Sequence, residues 1–447
     1  MNDIKILTKL SENDYSLIKN LTKTTSKFLL KICEYIIKNN LNNLDKAYLV
    51  VNILNIGVYV NKVSKPKELV TCTTLNSLRW VNNSCYLDSV LISLFLIPNK
   101  FIDNHILSNL YPKKINFCSN ISSVITTIEE LQKRGNIQDE LRNTTNFLRT
   151  SGNININCTK VRKLLRECNN NYYSDWWSSN QQDTSEFLLY IINMFVDDIT
   201  IINKTVTYTD IHDNIIKIES IKEKIGIVCN IQNSEIIQYK KLSGYTTYKD
   251  ITQLKYKGSL INRTEINTIV YTPYIIFNLN RKNINEHGVS VITNIEIIPD
   301  ENIQIGEDFF LLHSIIVYIN HHYTCYFLCN YKWYYYNDLV KGYRIIGNGL
   351  YKNLIKDTNI KTTGILFFYK KVEWVVYSIE GCTYCNNTKD LLDNNNQDYI
   401  IKKINNEDKD SLYRKIDIKT KEHRTFPIIF RNGIFLGGYI NIKNVFK

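Results

Sequence analysis

Apolar residues recur along the chain at two different spacings, and the change between them divides it into regions. From Tyr15 to Ile36 they recur every three or four residues, which predicts helices. The segment Lys62–Glu68 then breaks this pattern with lysines, a serine and a proline, as expected of a linker. We therefore expect a helical N-terminal region over residues 1–68, whose role the sequence does not indicate.

Runs of β-branched and aromatic residues become frequent between residues 69 and 371. The clearest predicted strands are Tyr274–Leu279, His313–Ile319, Tyr323–Leu328 and Gly364–Tyr369. Helices come first in this region and a sheet follows, which favours an α+β domain with a cleft between two lobes. Over residues 372–447 a strand, Trp374–Tyr377, leads into a cysteine-containing turn and a helix, which indicates a second, smaller α/β domain.

Composition and charge exclude several classes of protein. Hydrophobic residues make up 44% of the chain, with 16 Gly and 6 Pro, so little of it can be disordered. The net charge of +12 is spread thinly, whereas nucleic-acid-binding proteins concentrate charge on one face. The apolar stretches are too short to cross a bilayer, and the first residues do not form a signal peptide. We expect a soluble cytoplasmic protein with no nucleic-acid or membrane partner. It would act in the host cytoplasm if the Asn-, Ile- and Lys-rich chain is viral.

The chain has eleven cysteines, an odd number scattered over its length. This distribution favours reduced thiols over a disulfide framework. Cys325 and Cys329 lie four residues apart on a predicted strand and are expected to be packing residues. Any cysteine with a chemical role therefore has to be recognised from its own neighbours.

One such cysteine begins a predicted helix. The segment Asn82–Ser89 reads Asn-Asn-Ser-Cys-Tyr-Leu-Asp-Ser, in which the Asn and Ser residues predict an N-cap. An apolar helical stripe follows at Leu87, Val90, Leu91, Leu94 and Phe95. Cys85 is thus placed at a helix N-terminus, where unpaired N–H groups and the helix dipole favour a nucleophilic thiolate.

These residues resemble the cysteine box of the ubiquitin-specific proteases and look closest to the cylindromatosis-type deubiquitinase. A histidine box appears downstream, with His-His-Tyr-Thr-Cys-Tyr from His321 and Trp-Tyr-Tyr-Tyr-Asn-Asp from Trp333. The resemblance implies that His322 is the base and that Asn337 orients it, with Asp338 as the alternative. It also implies the family's fold, an α+β papain-like cysteine protease.

The oxyanion hole departs from the family pattern. An Asn usually stands five residues before the nucleophile, and this chain has Trp80 there, with Asn82 where a Gly is common. The backbone N–H of Cys85 supplies one expected donor. Asn82, Asn83 or the Trp80 indole would supply the other, and Asn82 is the preferred candidate.

A third box, Gln-Gln-Asp-Thr-Ser-Glu-Phe from Gln181, opens another predicted helix. In the family it faces the arginine-containing tail of ubiquitin, which implies substrate contacts by Gln182, Asp183 and Glu186. Alternatively, acids in a first turn only offset the helix dipole. Many relatives bind zinc in their fingers subdomain through two Cys pairs. Only Cys229 lies between Phe187 and Pro273, so no metal is expected.

The last region resembles glutaredoxin, an α/β thioredoxin fold. Cys382-Thr-Tyr-Cys385 follows a strand and precedes a helix, the position in which the first thiol attacks and the second resolves. Further matches are a Thr-Phe-Pro segment, a strand, an Asn-Gly turn and a Gly pair. The resemblance implies glutathione as cofactor, bound by Phe426, Pro427, Gly437 and Gly438. Ile379 and Asn441 replace a Lys and an Asp of the family, which weakens the expected affinity.

The leading hypothesis is a thiol-dependent deubiquitinase fused to a glutathione-dependent oxidoreductase. Its partners would be ubiquitin, or a ubiquitin-like modifier, and ubiquitinated proteins. Two alternatives stay open at this point. One is a catalytically weak ubiquitin-binding scaffold, suggested by the altered oxyanion position. The other is an oxidoreductase that is targeted to ubiquitinated clients.

Overall fold

A computed structural model describes residues 72–108, 121–167, 182–196, 198–256, 259–284, 290–395, 397–420 and 423–446. The predicted helical region 1–68 lies outside the described residues. The described chain divides into two compact units. The first contains the residues before position 197 together with Asn320–Asn330 and Tyr334–Ile345, and the second contains the rest.

Helices and strands alternate irregularly along both units. The helices are α1 Cys85–Leu91, α2 Lys100–Ile102, α3 Ile121–Leu148, α4 Thr159–Glu167, α5 Thr184–Phe195, α6 Asn233–Ile236, α7 Tyr351–Leu354, α8 Thr358–Thr363, α9 Thr383–Asn394, α10 Lys409–Thr420 and α11 Tyr439–Lys443. The strands are β1 Ser77–Leu78, β2 Asn155–Ile156, β3 Thr200–Thr209, β4 Ile215–Ile225, β5 Val228–Ile231, β6 Thr247–Tyr256, β7 Ser259–Tyr271, β8 Tyr274–Leu279, β9 Lys282–Ile284, β10 Ser290–Ile292, β11 Asn302–Ile305, β12 Asp308–Ile319, β13 His322–Cys329, β14 Lys332–Tyr336, β15 Tyr343–Ile345, β16 Gly364–Val372, β17 Trp374–Ser378, β18 Tyr399–Lys403, β19 Ile428–Arg431 and β20 Ile434–Gly437.

Helix α1 lies at the core of the first unit. The predicted apolar stripe is buried, and the remaining side chains of the helix are buried as well. A helix enclosed on every side belongs to the interior of its unit. Tyr86 packs edge-to-face on Phe187 of α5, with ring centroids 5.6 Å apart. This contact joins the helix that begins at Cys85 to the helix that follows Asp183.

Strands β13 to β15 contribute tyrosines that reach the segment preceding α1. Strand β14 pairs antiparallel with β15, which sets Tyr336 opposite Tyr343. The Tyr336 hydroxyl donates to the Leu78 carbonyl at 3.1 Å, and the Tyr343 hydroxyl donates to the Asn76 carbonyl at 2.7 Å. Buried hydroxyls need such partners, and here they hold distant parts of the sequence together.

A disulfide joins Cys72 to Cys329, with their Cα atoms 6.3 Å apart. The expectation of reduced thiols is therefore wrong at this pair, and Cys329 is more than a packing residue. Cys325 remains a free, buried thiol. The pairing spans 257 residues, and only the fold brings the two cysteines within bonding distance.

The second unit contains a sheet in the order β12, β16, β8 and β5, with β11 also paired to β12. Strand β8 pairs antiparallel with β16 and parallel with β5. Its residues are buried almost without alternation, which explains the continuous apolar run in the sequence. The prediction for Tyr274–Leu279 is confirmed at both ends. Arg281 follows β8 and is buried, with its guanidinium donating to backbone carbonyls such as that of Gly364 at 2.7 Å.

Four long strands form a separate sheet of the second unit, in the order β4, β3, β7 and β6. One face carries an ion cluster in which Lys204 lies 3.0 Å from Glu265 and 3.6 Å from Glu223. Arg263 also pairs with Glu265. Cross-strand charge pairs of this kind stabilise neighbouring strands.

The C-terminal segment forms a four-stranded sheet in the order β18, β17, β19 and β20. Strands β17 and β18 are parallel and are connected through α9, and the other pairs are antiparallel. The core consists of Trp374, Val376, Leu392, Tyr399, Ile429 and Ile442. The predicted βαβ order and the Asn432-Gly433 turn are confirmed, since both turn residues have positive φ, 50° and 76°.

Two candidate cysteine sites

Cys85 is the first residue of α1 and is 2% exposed. Ser84 occupies the N-cap position, but its side chain makes no cap hydrogen bond, so the predicted side-chain cap is wrong. The Ser84 hydroxyl instead accepts from the Val81 N–H at 2.9 Å and donates to Asp88 Oδ2 at 2.5 Å. These two bonds fix the turn that presents Cys85.

The loop before Cys85 has an unusual backbone. Asn82 and Asn83 both have positive φ, 49° and 57°. Asn is among the few residues that tolerate this left-handed conformation, which explains why it can stand where the family commonly has Gly. Arg162 donates to the carbonyls of Val81 and Asn82, at 3.0 and 3.1 Å, and so holds the loop in place.

The three oxyanion candidates differ in their surroundings. Asn82 is exposed, Asn83 is half-buried and Trp80 is 39% exposed. The backbone N–H of Trp80 donates to the Asp338 carbonyl at 2.9 Å. Residue 80 is therefore tied by its main chain to the segment that carries the predicted orienting residues.

His322 begins β13 immediately after a turn in which Asn320 and His321 have positive φ. Its Nε2 lies 3.0 Å from Asn337 Oδ1 and 3.1 Å from Asp338 Oδ1. The Cys85 thiol is also a hydrogen-bond partner of the imidazole. The structure thus brings together Cys85, His322, Asn337 and Asp338, which sequence reasoning selected from two distant boxes.

The surroundings of His322 favour its protonated form. The hydrogen bond with Asp338, followed by those with Cys85 and Asn337, raises the pKa of His322 from 6.5 to about 10, against the opposing effect of burial. An imidazolium beside the Cys85 thiol stabilises the thiolate. Asp338, the second choice from the sequence, has the larger influence on this pKa.

Sequence reasoning missed two buried groups close to the Cys85 site. Asp88 is fully buried on α1. Its carboxyl group hydrogen bonds to Ser84, to the thiol of Cys158 and to Asp338. Burial, and next the charge of Asp338, raise the pKa of Asp88 well above its usual range. Burial likewise raises the pKa of the Cys158 thiol. An acid three residues after Cys85, within a stretch that is mostly apolar, was the signal that could have revealed Asp88.

The predicted substrate residues lie at the start of α5. Asp183 is its N-cap, and its Oδ1 accepts from the N–H groups of Ser185 and Glu186 at 2.7 and 3.3 Å. Glu186 is exposed and Gln182 is half-buried, while Gln181 lies outside the described residues. Asp183 therefore caps α5, a role that the sequence analysis did not consider, and Glu186 is exposed.

The second cysteine site lies at the start of α9. Cys382 is the N-cap, and its Sγ accepts from the Cys385 N–H at 3.1 Å and forms a disulfide with Cys385. The peptide bond between Phe426 and Pro427 is cis, and the Phe426 carbonyl oxygen lies 3.7 Å from Cys382 Sγ. The structure thus brings Phe426 and Pro427 next to the redox pair, as predicted.

The glycine pair lies at the end of β20. Gly437 has a φ of 105°, and any Cβ there would lie 2.6 Å from the Asn441 side chain. Asn441 Oδ1 accepts from the Gly438 N–H at 3.1 Å. Asn441, which replaces the family's Asp, therefore accepts this hydrogen bond at the start of α11. The bond keeps Gly437 and Gly438 in their turn.

Two further properties concern only the described ranges. No group of three or more His, Cys, Asp or Glu residues there is arranged to hold a metal ion. No single helix in the same ranges is long and apolar enough to span a bilayer. The two segments of the bent pair, Cys85–Leu96 and Lys100–Leu107, are long and apolar enough only when their lengths are combined.

Three comparisons relate the chain to known proteins. Among solved structures it is similar to the SAGA DUB module of Ubp8, Sgf11, Sus1 and Sgf73 bound to monoubiquitin. The identity is 15% and the TM-score 0.45, covering 74% of this chain and 76% of that one. The same module bound to ubiquitin aldehyde gives 14% identity and the same score and coverage. The yeast module with an Sgf73 variant gives a TM-score of 0.40. At this low identity and TM-score, the chemistry of the site has to be argued from its own residues.

No curated protein sequence matches the chain. The glutaredoxin family model matches residues 374–436, so the C-terminal segment contains a glutaredoxin domain.

Proposed function

We propose that the chain is a cysteine isopeptidase that releases ubiquitin, or a ubiquitin-like modifier ending in Gly-Gly, from lysine side chains. The supporting observation is the joint placement of Cys85, His322 and the Asn337–Asp338 pair. A thiol at a helix N-terminus, a histidine beside it and a polar group orienting that histidine form the arrangement of a nucleophilic cysteine hydrolase. The sequence boxes around these residues supply the substrate class.

The reaction has two steps in this proposal. The Cys85 thiolate attacks the carbonyl carbon of the modifier's terminal Gly, and the His322 imidazolium gives its proton to the departing lysine amine. This leaves a thioester on Cys85 and a neutral imidazole. That imidazole then takes a proton from water, which attacks the thioester, releases the carboxylate product and restores the thiolate–imidazolium pair.

Charge develops on the carbonyl oxygen during both attacks and needs donors. We assign one to the backbone N–H of Cys85 and prefer the Asn82 side chain as the other, with Asn83 and Trp80 as alternatives. The left-handed backbone of Asn82 and Asn83, held by Arg162, supports this assignment because it fixes where those side chains begin.

Recognition of the modifier tail is assigned to the start of α5. Glu186, which is exposed, is positioned to pair with an arginine of that tail. Gln182 adds a polar contact. Asp183 contributes chiefly by capping the helix that carries Glu186.

For the glutaredoxin domain we propose glutathione-dependent thiol–disulfide exchange. Glutathione thiolate attacks the Cys382–Cys385 disulfide and forms a mixed disulfide on Cys382. A second glutathione releases the dithiol and glutathione disulfide. In the reverse direction, the Cys382 thiolate attacks a client disulfide and Cys385 resolves it. The backbones of Phe426, Pro427 and the Gly437–Gly438 turn are the proposed glutathione contacts. We place the protease-like domain at residues 69–371 and the redox domain at 372–447.

Hydrolysis of ubiquitin–lysine isopeptide substrates tests the first activity, with parallel assays on conjugates of other Gly-Gly modifiers. We expect turnover of at least one modifier that disappears in Cys85→Ala. Binding without turnover would instead support the scaffold alternative.

A further inference from the structure

Asp88 lies one turn after Cys85 on α1 and is fully buried. Its Oδ2 accepts from the Ser84 hydroxyl at 2.5 Å. Its Oδ1 has no N–H or O–H donor among the described residues, and besides Asp338 the only other partner of the carboxyl group given there is the Cys158 thiol. A buried carboxylate oxygen without a strong donor is unfavourable, and a thiol is only a weak donor. The missing donor therefore needs an explanation.

The buried carboxyl group of Asp338 also lacks well-aligned hydrogen-bond donors. Asp338 is 3% exposed, and both of its carboxylate oxygens lack a well-aligned hydrogen-bond donor within the described ranges, although Oδ1 lies 3.1 Å from His322 Nε2. The carboxyl groups of Asp88 and Asp338 are in hydrogen-bonding contact with each other. Two buried carboxyl groups in contact cannot both be ionised, so one proton must lie between them.

The groups facing the pair indicate which carboxyl group holds that proton. The groups that interact with Asp88 are Ser84, Tyr86, Cys158, Tyr336 and Asp338, and Arg162 interacts in turn with Tyr86 and Cys158. Burial raises the pKa values of Cys158 and Tyr336, which are therefore neutral at physiological pH. Burial and the charge of Asp338 raise the pKa of Asp88, whereas Asp338 Oδ1 lies 3.1 Å from the His322 imidazole.

We propose that Asp88 is a positioning residue that donates its carboxyl proton to Asp338 and so holds the Asp338 carboxyl group directed at His322. This deepens the proposed function of the Cys85 site and rests on it. Asp88 itself touches neither substrate nor the reacting atoms. It acts through Asp338 on the protonation of His322, and through His322 on Cys85.

Two substitutions of similar size at Asp88 distinguish its hydrogen-bond donor from its ability to titrate. Asp88→Asn keeps an N–H donor toward Asp338 and cannot titrate. Asp88→Leu fills the same space without any donor. The readout is the rate of Cys85 alkylation by iodoacetamide against pH, followed by mass spectrometry of the Cys85 peptide in the full chain. The alkaline inflection of this rate–pH profile marks the loss of the His322 proton. The measurement requires no protein substrate.

We expect the Asp88→Asn inflection to stay within about half a pH unit of the wild type, and the Asp88→Leu inflection to fall by about one unit or more. In the hydrolysis assay, kcat should fall about tenfold in Asp88→Leu, with KM changing less than about twofold. Asp338→Asn should lower the inflection at least as far as Asp88→Leu does. Equal shifts in Asp88→Asn and Asp88→Leu, or no shift in Asp88→Leu, would overturn the proposal.

A stability measurement covers the case in which Asp88→Leu does not fold. A proton retained by Asp88 in the folded state makes the wild type lose stability as pH rises above its unfolded pKa, and Asp88→Asn lacks this loss. The melting temperature of Asp88→Asn relative to wild type should therefore rise between about pH 5 and about pH 8. If the difference in melting temperature between Asp88→Asn and wild type did not change with pH, Asp88 would be ionised in the folded state, which would contradict the proposal. Absence of ubiquitin hydrolysis with these alkylation results intact would refute only the substrate.

Discussion

Cys85 and Cys382 occupy similar positions on two helices but have different partners. Cys85 is buried at the start of α1, beside a histidine whose pKa is raised to about 10. Cys382 is partly exposed at the start of α9, and its partners are the N–H and the sulfur of Cys385. A helix N-terminus favours a thiolate in both places. The neighbour then decides the chemistry, since a histidine supplies the proton of hydrolysis and a second thiol supplies the electrons of disulfide exchange.

The comparison predicts a double dissociation, which is the largest expected effect. Cys85→Ala or His322→Ala should lower isopeptide hydrolysis by about 1,000-fold or more, because either change removes a participant in bond cleavage. Glutathione-dependent reduction of a small disulfide should remain within about twofold in both variants. Cys382→Ser should show the reverse pattern. Loss of both activities in one folded variant would contradict the separation of the two sites.

The two orienting residues of the Cys85 site should differ in strength. Asp338→Asn removes the carboxylate whose hydrogen bond most raises the pKa of His322 and should lower kcat about 10- to 100-fold. Asn337→Ala should leave weak activity, with a loss of about tenfold. Steady-state kinetics on purified, folded variants compares the two losses. Equal losses would mean that orientation matters more than charge.

The pH dependence of hydrolysis follows from the same pKa. Since the His322 pKa is raised, the imidazolium is present at lower pH and is lost as pH rises through about 10. The alkaline limb of kcat/KM should fall there in the wild type and about one unit or more lower in Asp338→Asn. By linkage, the stability that His322 contributes is full below about 6.5 and lost as pH rises through about 10. If the alkaline limb of kcat/KM does not move in Asp338→Asn, Asp338 is excluded as the source of the raised His322 pKa.

A smaller effect separates recognition from helix capping on α5. Glu186→Gln should raise KM about three- to tenfold with little change in kcat, because an exposed ground-state contact to the modifier tail is weakened. Asp183→Asn preserves a capping side chain and should change neither constant by more than about twofold. A larger KM change in Asp183→Asn than in Glu186→Gln would reverse these assignments.

The smallest effect concerns the two disulfides. Reduced glutathione should open Cys382–Cys385 readily and leave Cys72–Cys329 intact in the folded protein, because Cys72 and Cys329 are 1% and 6% exposed. Differential alkylation followed by peptide mass spectrometry gives both rates. The same treatment in urea should reduce both pairs. Equal rates without urea would mean that the buried pair is accessible.

Local patterns in the sequence predicted the local features of the fold. The stripe of α1, the continuous apolar run of β8 and the Asn432-Gly433 turn are set by neighbouring residues and are confirmed. The contact between Asp88 and Asp338 was not predictable, because it joins positions far apart in sequence. The disulfide between Cys72 and Cys329 was missed for the same reason.

The catalytic candidates came from motif resemblance, and the structure adds how they are supported. Asn82 was predicted as an oxyanion candidate at a position where a Gly is common, and it suits the left-handed backbone found there. Ser84 looked like a helix cap, yet its hydroxyl is used by Val81 and Asp88. A side chain with several possible partners near it in sequence cannot be assigned to one of them without the fold.

Covalent capture tests the central claim most directly. The full chain would be incubated with ubiquitin carrying a C-terminal electrophile, with Cys85→Ala and Cys382→Ser in parallel, and the modified peptide identified by mass spectrometry. The account predicts one adduct, on Cys85, formed equally by the wild type and Cys382→Ser and absent from Cys85→Ala. An adduct on Cys382, or one that persists in Cys85→Ala, would contradict the assignment of Cys85 as the nucleophile.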